Sequence, residues 1–565
     1  MKHNLSILCM VFLSLSAAAK ERSEAEMQSI AKQVLGLSIN AQSRSQSTQL
    51  SKYASTAQLS IYGSKGAGFV VMSKEDTFPA ILGYSETDYS ESNMPCGFKW
   101  WMEEANRSLQ TRVNSGEPYA PANIKATSSA TNFIKTSWNQ MAPYNSLCPK
   151  IDGTPVPTGC VATAMAQIMY YFKYPESGKG TGSYIVTDAQ EASTAYTLDI
   201  NSTYAWSKMK ERYIRPVDID NAVATLMRDA GAASKMQYSS DGSGTNDIYA
   251  AKGFCENFRY DSLAVKRYSR YFYTDQEWMD IVSTELAAEK PILYCGQDPQ
   301  NGGHAFVFDG IDEQGLVHVN WGWSGIGNGW YDINILKPTA YGGGGLNNGE
   351  GYKSSQSMIF NIKPQEAPDP SEENTSLWVS SEYGFSVKDK KLYIQIYDVY
   401  NMDFKYFDGV VEIALENKEN PSDVMTSLIV DTKEDKEVVP PASGYIFSDT
   451  DDAAEFDLSE DFPNIAPGTY RLYIRSKSAT ESAYQYVREI GGPKIYNLTV
   501  AADGNMSISK ESSTTSIKNI CAKSDQQTKE RIFDMNGRQM PSPQCVKSGI
   551  YFVKKGNYTY KVLKQ

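Results

Sequence analysis

The chain has 565 residues, with 66 Asp plus Glu against 54 Lys plus Arg, a net charge of -12, and 41% hydrophobic residues. That length is too great for one ordinary domain, and the composition excludes a disordered or fibrous chain. The acidic balance disfavours a nucleic-acid or anionic-membrane partner.

The chain begins with Met1-Lys2-His3, an apolar run from Leu5 to Leu15 and Ala17-Ala18-Ala19 before Lys20, the charged, apolar and small-residue order of a signal peptide. Residues 1–19 are therefore expected to be cleaved, leaving a protein secreted or held at the outer cell surface. No later segment approaches 18 uninterrupted apolar residues. Seven cysteines remain after residue 19, an odd count at scattered spacings without a CxxC pair. That is a poor disulfide framework and, with so little His, no metal site is expected. An unpaired cysteine in an exported chain is instead a candidate reactive thiol.

Residues 20–130 read as a small α+β domain: a helix over SEAEMQSIAKQVLGL, strands at GAGFVVMSK and AILGYS, and a second helix around GFKWWMEEANRSLQTRV. The run EPYAPANIKATSSATN has the composition of an exposed, cleavable connector. Residues 131–363 mix helical periodicity with strands and hold the chemistry, and KPQEAPDPSEEN marks a boundary. Residues 374–500 alternate short β-rich runs with turns, which predicts a β-sandwich. The tail 513–565 gives two strand patterns with an Asn536-Gly537 turn between them.

In PTGCVATAMAQIMYYFKYP, residues Val161, Ala164, Met165, Ile168, Met169 and Phe172 share one helical face, so a buried helix is expected from just after Cys160 to before Pro175. A thiol at a helix N-terminus meets unpaired amides and the positive end of the macrodipole, which favour the thiolate. The same local pattern equally suits a buried cysteine at a helix start. Gly159 would let a substrate backbone approach.

The base follows by elimination. Of 3 His, His3 lies in the signal peptide, and His318 sits inside the strand LVHVNWGW, where a structural role is the default. His304 follows Gly302 and Gly303 at the entrance of a strand, a position that can face a cleft. It lies 144 positions after Cys160, inside the roughly 130–150 of papain-like chains. Asn320 can orient its imidazole if the two strands pair so that they meet, and is otherwise a turn residue. Trp321 would shield that bond from water or fill the core. An oxyanion hole needs a second donor beside the Cys160 amide; the sequence leaves Gln140, Asn139 and Gln167 open for it.

The motifs WNQMAPYN, PTGCVATAMAQIMYYFKYP, GGHAFVFDG and HVNWGWSGIGNGWY, with the later GGGG segment, resemble the streptopain family of cysteine peptidases over residues 20 to about 363. The resemblance implies an α+β architecture: a papain-like catalytic domain behind an N-terminal α+β propeptide domain, followed here by C-terminal all-β domains. It implies endopeptidase activity on protein or peptide substrates with no metal or organic cofactor. Cys160 would be the nucleophile, His304 the base, Gln140 the oxyanion donor, and Asn320 the orienting residue beside Trp321. The propeptide would inhibit until the connector is cut. Pocket residues are sought near SSDGSGTN, with Ser243 and Gly303 beside Gly159, although those loop residues suit plain turns equally. The strands IFDMNGR and GIYFVKKG resemble the C-terminal sorting domain of type IX secretion substrates in Bacteroidota, which implies that secretion machinery as a partner; an ordinary hairpin is the alternative. A cell-wall amidase and an adhesin with an inert peptidase domain are the competing functions.

Overall fold

The computed structural model describes residues 20–511 except 38–48, 117, 123, 125–130, 214–220, 299–301, 337–354, 366–377, 380–382, 437, 442 and 449–451, together with the strands within 530–564. The expected signal peptide, half of the connector and the Asn536-Gly537 turn lie outside those residues.

Helix α1 (Glu24–Val34) starts at Ser23, whose hydroxyl accepts the Glu26 amide and caps it. Four strands follow, β1 (Ser51–Ser55), β2 (Leu59–Ser64), β3 (Gly68–Ser73) and β4 (Ile81–Ser85), then helix α2 (Cys96–Ser115). All six residues of β2 are buried, because α1 packs over Tyr62 on one face while Leu59 and Ile61 meet α2 on the other. A strand covered on both faces loses the polar and apolar alternation that would betray it, which is why β2 escaped the sequence reading; β1, an exposed edge strand of sequence SKYAS, has no apolar face to read.

The catalytic region contributes helices α3 (Cys160–Phe172), α4 (Asn221–Ala233) and α5 (Asp247–Glu256), strand β5 (Lys266–Ser269) and helix α6 (Asp275–Ala287). Strands β6 (Ile292–Asp298), β7 (Gly302–Ile311), β8 (Val317–Asn320), β9 (Gly329–Tyr331) and β10 (Ser355–Phe360) follow, and a smaller sheet that includes Thr181–Thr187 and Ser193–Asp199 lies apart from them. One antiparallel ten-stranded sheet runs β1-β2-β3-β4-β9-β8-β7-β6-β10-β5, so the N-terminal domain and the catalytic region are one sheet, joined at β4 and β9. Strand alternation divides the core. Ala305 and Val307 face the α3 side with Leu293 and Ile359; Phe306 and Phe308 face the other side with Trp321, α6 and the α2 residues Phe98, Trp100 and Trp101. Helix α3 is buried all round from Val161 to Tyr170, rather than on one face as its periodicity suggests, because α4 and α5 cover what the sheet does not.

Residues 383–511 form a β-sandwich whose core brings Phe385, Ile394 and Ile396 against Val411, Ile413, Leu472 and Leu498; its last strand, Met506–Lys510, runs beyond residue 500. The sandwich docks on the catalytic region. Arg488 donates to the Phe272 carbonyl at 2.8 Å and to both Glu277 carboxylate oxygens, its guanidinium stacks on Tyr273, and Phe404 is buried in the α3-side core. Residues 530–564 make a separate four-stranded antiparallel sheet, each expected strand pattern splitting into two strands.

Candidate active site

Cys160 is the first residue of α3, and Gly159 is the cap, with φ of +87°. A Cβ at position 159 would lie 2.6 Å from the Met236 side chain and 3.1 Å from the Ser243 carbonyl. Glycine is thus demanded by the positive φ and by the protein's own packing, and the room expected for a substrate backbone is taken on that side by Met236. Ser243 acts in the same place: its hydroxyl donates to the Pro157 carbonyl at 2.7 Å and pins the loop that precedes the thiol.

The Cys160 sulfur faces the Ala305 amide of β7 as well as the amides of Val161 and Cys160 itself. Burial pushes its thiol above the ordinary range, and these amides oppose that by stabilising the thiolate. His304 is the residue next to Ala305, half-buried, and pairs across the sheet with Gly296. The thiol is therefore brought to the very stretch of β7 that carries the imidazole. Gly303 lies one residue earlier, exposed, opposite Gln297.

Three amides stood open for the second oxyanion donor, and their surroundings differ. Asn139 is engaged on both sides, its carbonyl accepting the amides of Gln140 and Met141 and its nitrogen donating to Ser324. Gln167 is fully buried, and its carbonyl accepts the Thr136 hydroxyl at 2.8 Å and the Trp138 amide at 3.4 Å. Gln140 is half-buried, its side chain makes no hydrogen bond among the described residues, and its own carbonyl accepts the Thr158 amide at 3.0 Å, two residues before Cys160.

Strand pairing sets Asn320 opposite Val307, three residues along from His304. Its amide donates to the Thr136 carbonyl at 2.7 Å and accepts from the Gly322 amide at 3.1 Å, so the condition on which its orienting role depended is not what the register provides here. Trp321 donates its indole N–H to the Gly327 carbonyl and packs at a tilt against Phe306, ring centroids 4.7 Å apart. A Cβ on Gly97, at the start of α2, would lie 2.8 Å from the Trp321 ring, so the N-terminal domain seals that indole from water. The remaining histidine is structural in its contacts: His318 Nδ1 lies 2.6 Å from Asp309 Oδ1, and the other oxygen of Asp309 accepts the Ile134 amide.

Sequence reasoning missed Thr136, Ser324 and Thr158, which tie the loop around Gln140, and Cys295, which pairs with Ala305 on the α3 side of the sheet. Polar residues clustered in an irregular segment beside a candidate donor were the available signal. Among the described residues no group of three or more His, Cys, Asp or Glu could hold a metal ion, and no helix is long and apolar enough to cross a membrane.

The family model described as the Peptidase C10 family matches residues 138–331, and that of the Spi protease inhibitor matches residues 9–109. Streptopain of Streptococcus pyogenes is 30% identical over 329 residues, which is 55% of this chain and 82% of streptopain. The chain belongs to the Peptidase C10 family. It is a cysteine protease with an inhibitor propeptide ahead of its catalytic domain. The thiol protease/hemagglutinin PrtT of Porphyromonas gingivalis is 34% identical over 322 residues, 53% of this chain but only 36% of PrtT. Among solved structures, a prointerpain A fragment from Prevotella intermedia is 34% identical, covering 56% of this chain and 99% of the fragment with a TM-score of 0.49. Active interpain A is 36% identical, covering 43% of this chain and 99% of its own with a TM-score of 0.36.

Proposed function

We propose that the protein is a secreted zymogen endopeptidase in which Cys160 attacks the peptide carbonyl and His304 is its base. The observation that carries this reading is the placing of the Cys160 thiol, at a helix N-terminus, against the Ala305 amide beside His304. The imidazole takes the thiol proton, and the thiolate adds to the carbonyl carbon. The negative charge that develops on oxygen is met by the Cys160 amide and the Gln140 side chain. Collapse expels the amine, protonated by His304, and leaves an acyl-enzyme; water activated by the same imidazole then releases the acid and restores the thiol. Asn320 orients the imidazole in the mature enzyme, after a shift from its present bond to Thr136. Gly303 and Ser243 border the substrate cleft.

The propeptide blocks the enzyme until it is removed, and a cut in the connector before residue 132 frees it to leave. The leader at residues 1–19 exports the chain, and the tail sheet hands it to type IX machinery for crossing the outer membrane. Replacement of Cys160 by Ala tests the central claim. The variant should stay folded while casein cleavage and self-processing both stop; cleavage retained in the variant refutes the reading. Mass spectrometry of the wild-type chain during activation would show the connector cut and whether the tail is lost.

A further inference from the structure

Residues 132–140, which deliver Gln140, adopt no regular secondary structure. With no helix or sheet ladder to fix it, their backbone is set by tertiary hydrogen bonds. Phe133 and Ile134 are held by Asp309, Ser137 donates to the Glu211 carbonyl, and the Trp138 carbonyl accepts from Ser324. On α3 the rings of Tyr170 and Tyr171 pack against Trp138 and Phe133, and the hydrogen bonds to the segment come from Gln167, which accepts from the Thr136 hydroxyl and the Trp138 amide.

Gln167 lies seven residues beyond Cys160 on the same helix, about two turns away. It is fully buried, and its nitrogen has no hydrogen-bond partner among the described residues. An apolar side chain of the same length would fill that volume without leaving an N–H2 group unpaired. What glutamine adds is one carbonyl oxygen, and both of its bonds go to the segment that ends in Gln140. Thr136 is the junction: its hydroxyl donates to Gln167 while its carbonyl accepts from Asn320.

We propose that Gln167 is the positioning residue of the oxyanion hole: it fixes Gln140 relative to Cys160 by making one rigid helix carry the nucleophile at its start and grip the donor's loop two turns later. This rests on the reading of Gln140 as the oxyanion donor. Gln167 itself touches no substrate. A donor displaced by about 1 Å loses much of its effect on the transition state, so loosening this grip should act on the chemical step and leave the thiol intact.

The test uses the full chain carrying Gln167→Met, Gln167→Glu, Thr136→Val, Gln140→Ala or Gln140→Ala with Gln167→Met, each matured by tagged wild-type enzyme that is then removed. Three quantities are read: the rate of Cys160 alkylation by iodoacetamide, which builds no oxyanion; kcat and KM on a peptide; and inhibition by a peptide aldehyde, whose hemithioacetal does build one. Gln140→Ala should lower kcat by about 100-fold, and Gln167→Met by about 10-fold with KM and alkylation within about threefold of wild type. Aldehyde inhibition should weaken in step. Gln167→Glu, which keeps an acceptor oxygen, should recover most of the loss, and the double variant should be no worse than Gln140→Ala. If Gln140→Ala lowers kcat but Gln167→Met does not, or if the two losses multiply, the positioning role is overturned and the donor reading survives. If Gln140→Ala changes neither kcat nor aldehyde inhibition, the donor reading itself has failed and takes this inference with it. Should Gln167→Met not fold, Thr136→Val, which removes only a hydroxyl, decides between the same outcomes.

Discussion

The indole of Trp100 occupies the place where a side chain at position 296 would stand: a Cβ on Gly296 would lie 2.3 Å from its Cζ2. Gly296 is the cross-strand partner of His304, so a propeptide residue covers the strand position facing His304. Gly296→Ala should therefore unseat α2 while fitting the mature enzyme. In the uncut chain, Cys160 should be alkylated at least several-fold faster than in wild type. An unchanged rate would show that α2 does not gate access to the thiol.

The pH dependence of the same alkylation separates latent from mature enzyme. Burial holds the Cys160 thiol above its ordinary range in the full chain, so the thiolate is scarce at neutral pH and grows only as pH rises above about 9. Alkylation of the uncut chain should climb steeply over that alkaline range. After maturation, an imidazolium beside the sulfur should carry reactivity down to near neutrality, flattening the profile.

Asp309 serves two elements at once, accepting the Ile134 amide and lying 2.6 Å from His318 Nδ1. It is fully buried. Asp309→Ala leaves both partners without their acceptor, and at about 1–3 kcal/mol for each stranded buried group it should destabilise the chain by several kcal/mol. Thermal unfolding measures this. The change should exceed that of removing an exposed pair such as Lys391 with Asp457.

At the junction between sandwich and catalytic region, burial raises the Asp403 carboxyl from an ordinary 3.8 to about 6, against the opposing pull of Lys405 and Lys266. Arg267, Cys255 and Tyr268 also face it. Between these values the folded chain holds a proton that the unfolded chain has released. The contribution of this group is therefore full below about pH 4 and falls as pH rises through 6. Stability measured from pH 4 to 7 should carry that downward slope in wild type and lose it in Asp403→Asn.

Arg488→Ala removes the two bonds to Glu277, the bond to the Phe272 carbonyl and the stacking on Tyr273. The sandwich should then loosen from α6, and limited proteolysis in the linker before residue 383 should speed up while each domain stays resistant. Equal cutting rates would show that Phe404 and its neighbours hold the junction alone.

The placing of Cys160 and His304 was legible because it rests on local signals: a glycine cap before a helical run for Cys160, and a glycine pair before an apolar strand for His304. The mixed α+β architecture followed from element order in the same way. Asn320 was not legible in its contacts. Its partner depends on the register of β7 against β8, which contains an irregularity between Phe308 and Ile311 that alternation cannot reveal. The joining of the propeptide to the catalytic sheet was hidden for a related reason, since β4 and β9 meet across more than 240 residues and neither carries a mark of its partner. Gln167 was visible as a candidate amide, but only its bonds to Thr136 and Trp138 show which way its oxygen is turned.

The seam between β4 and β9 has a consequence for activation. Cutting the connector breaks one covalent link and none of the hydrogen bonds pairing Gly83 and Ser85 with Tyr331 and Gly329, nor the aromatic contacts beneath them. What the cut abolishes is the effective concentration of the inhibitor, which the tether had kept high. From that moment latency depends on dilution. A crowded sample of nicked enzyme should remain silent, and the same sample should wake as the freed domain diffuses away.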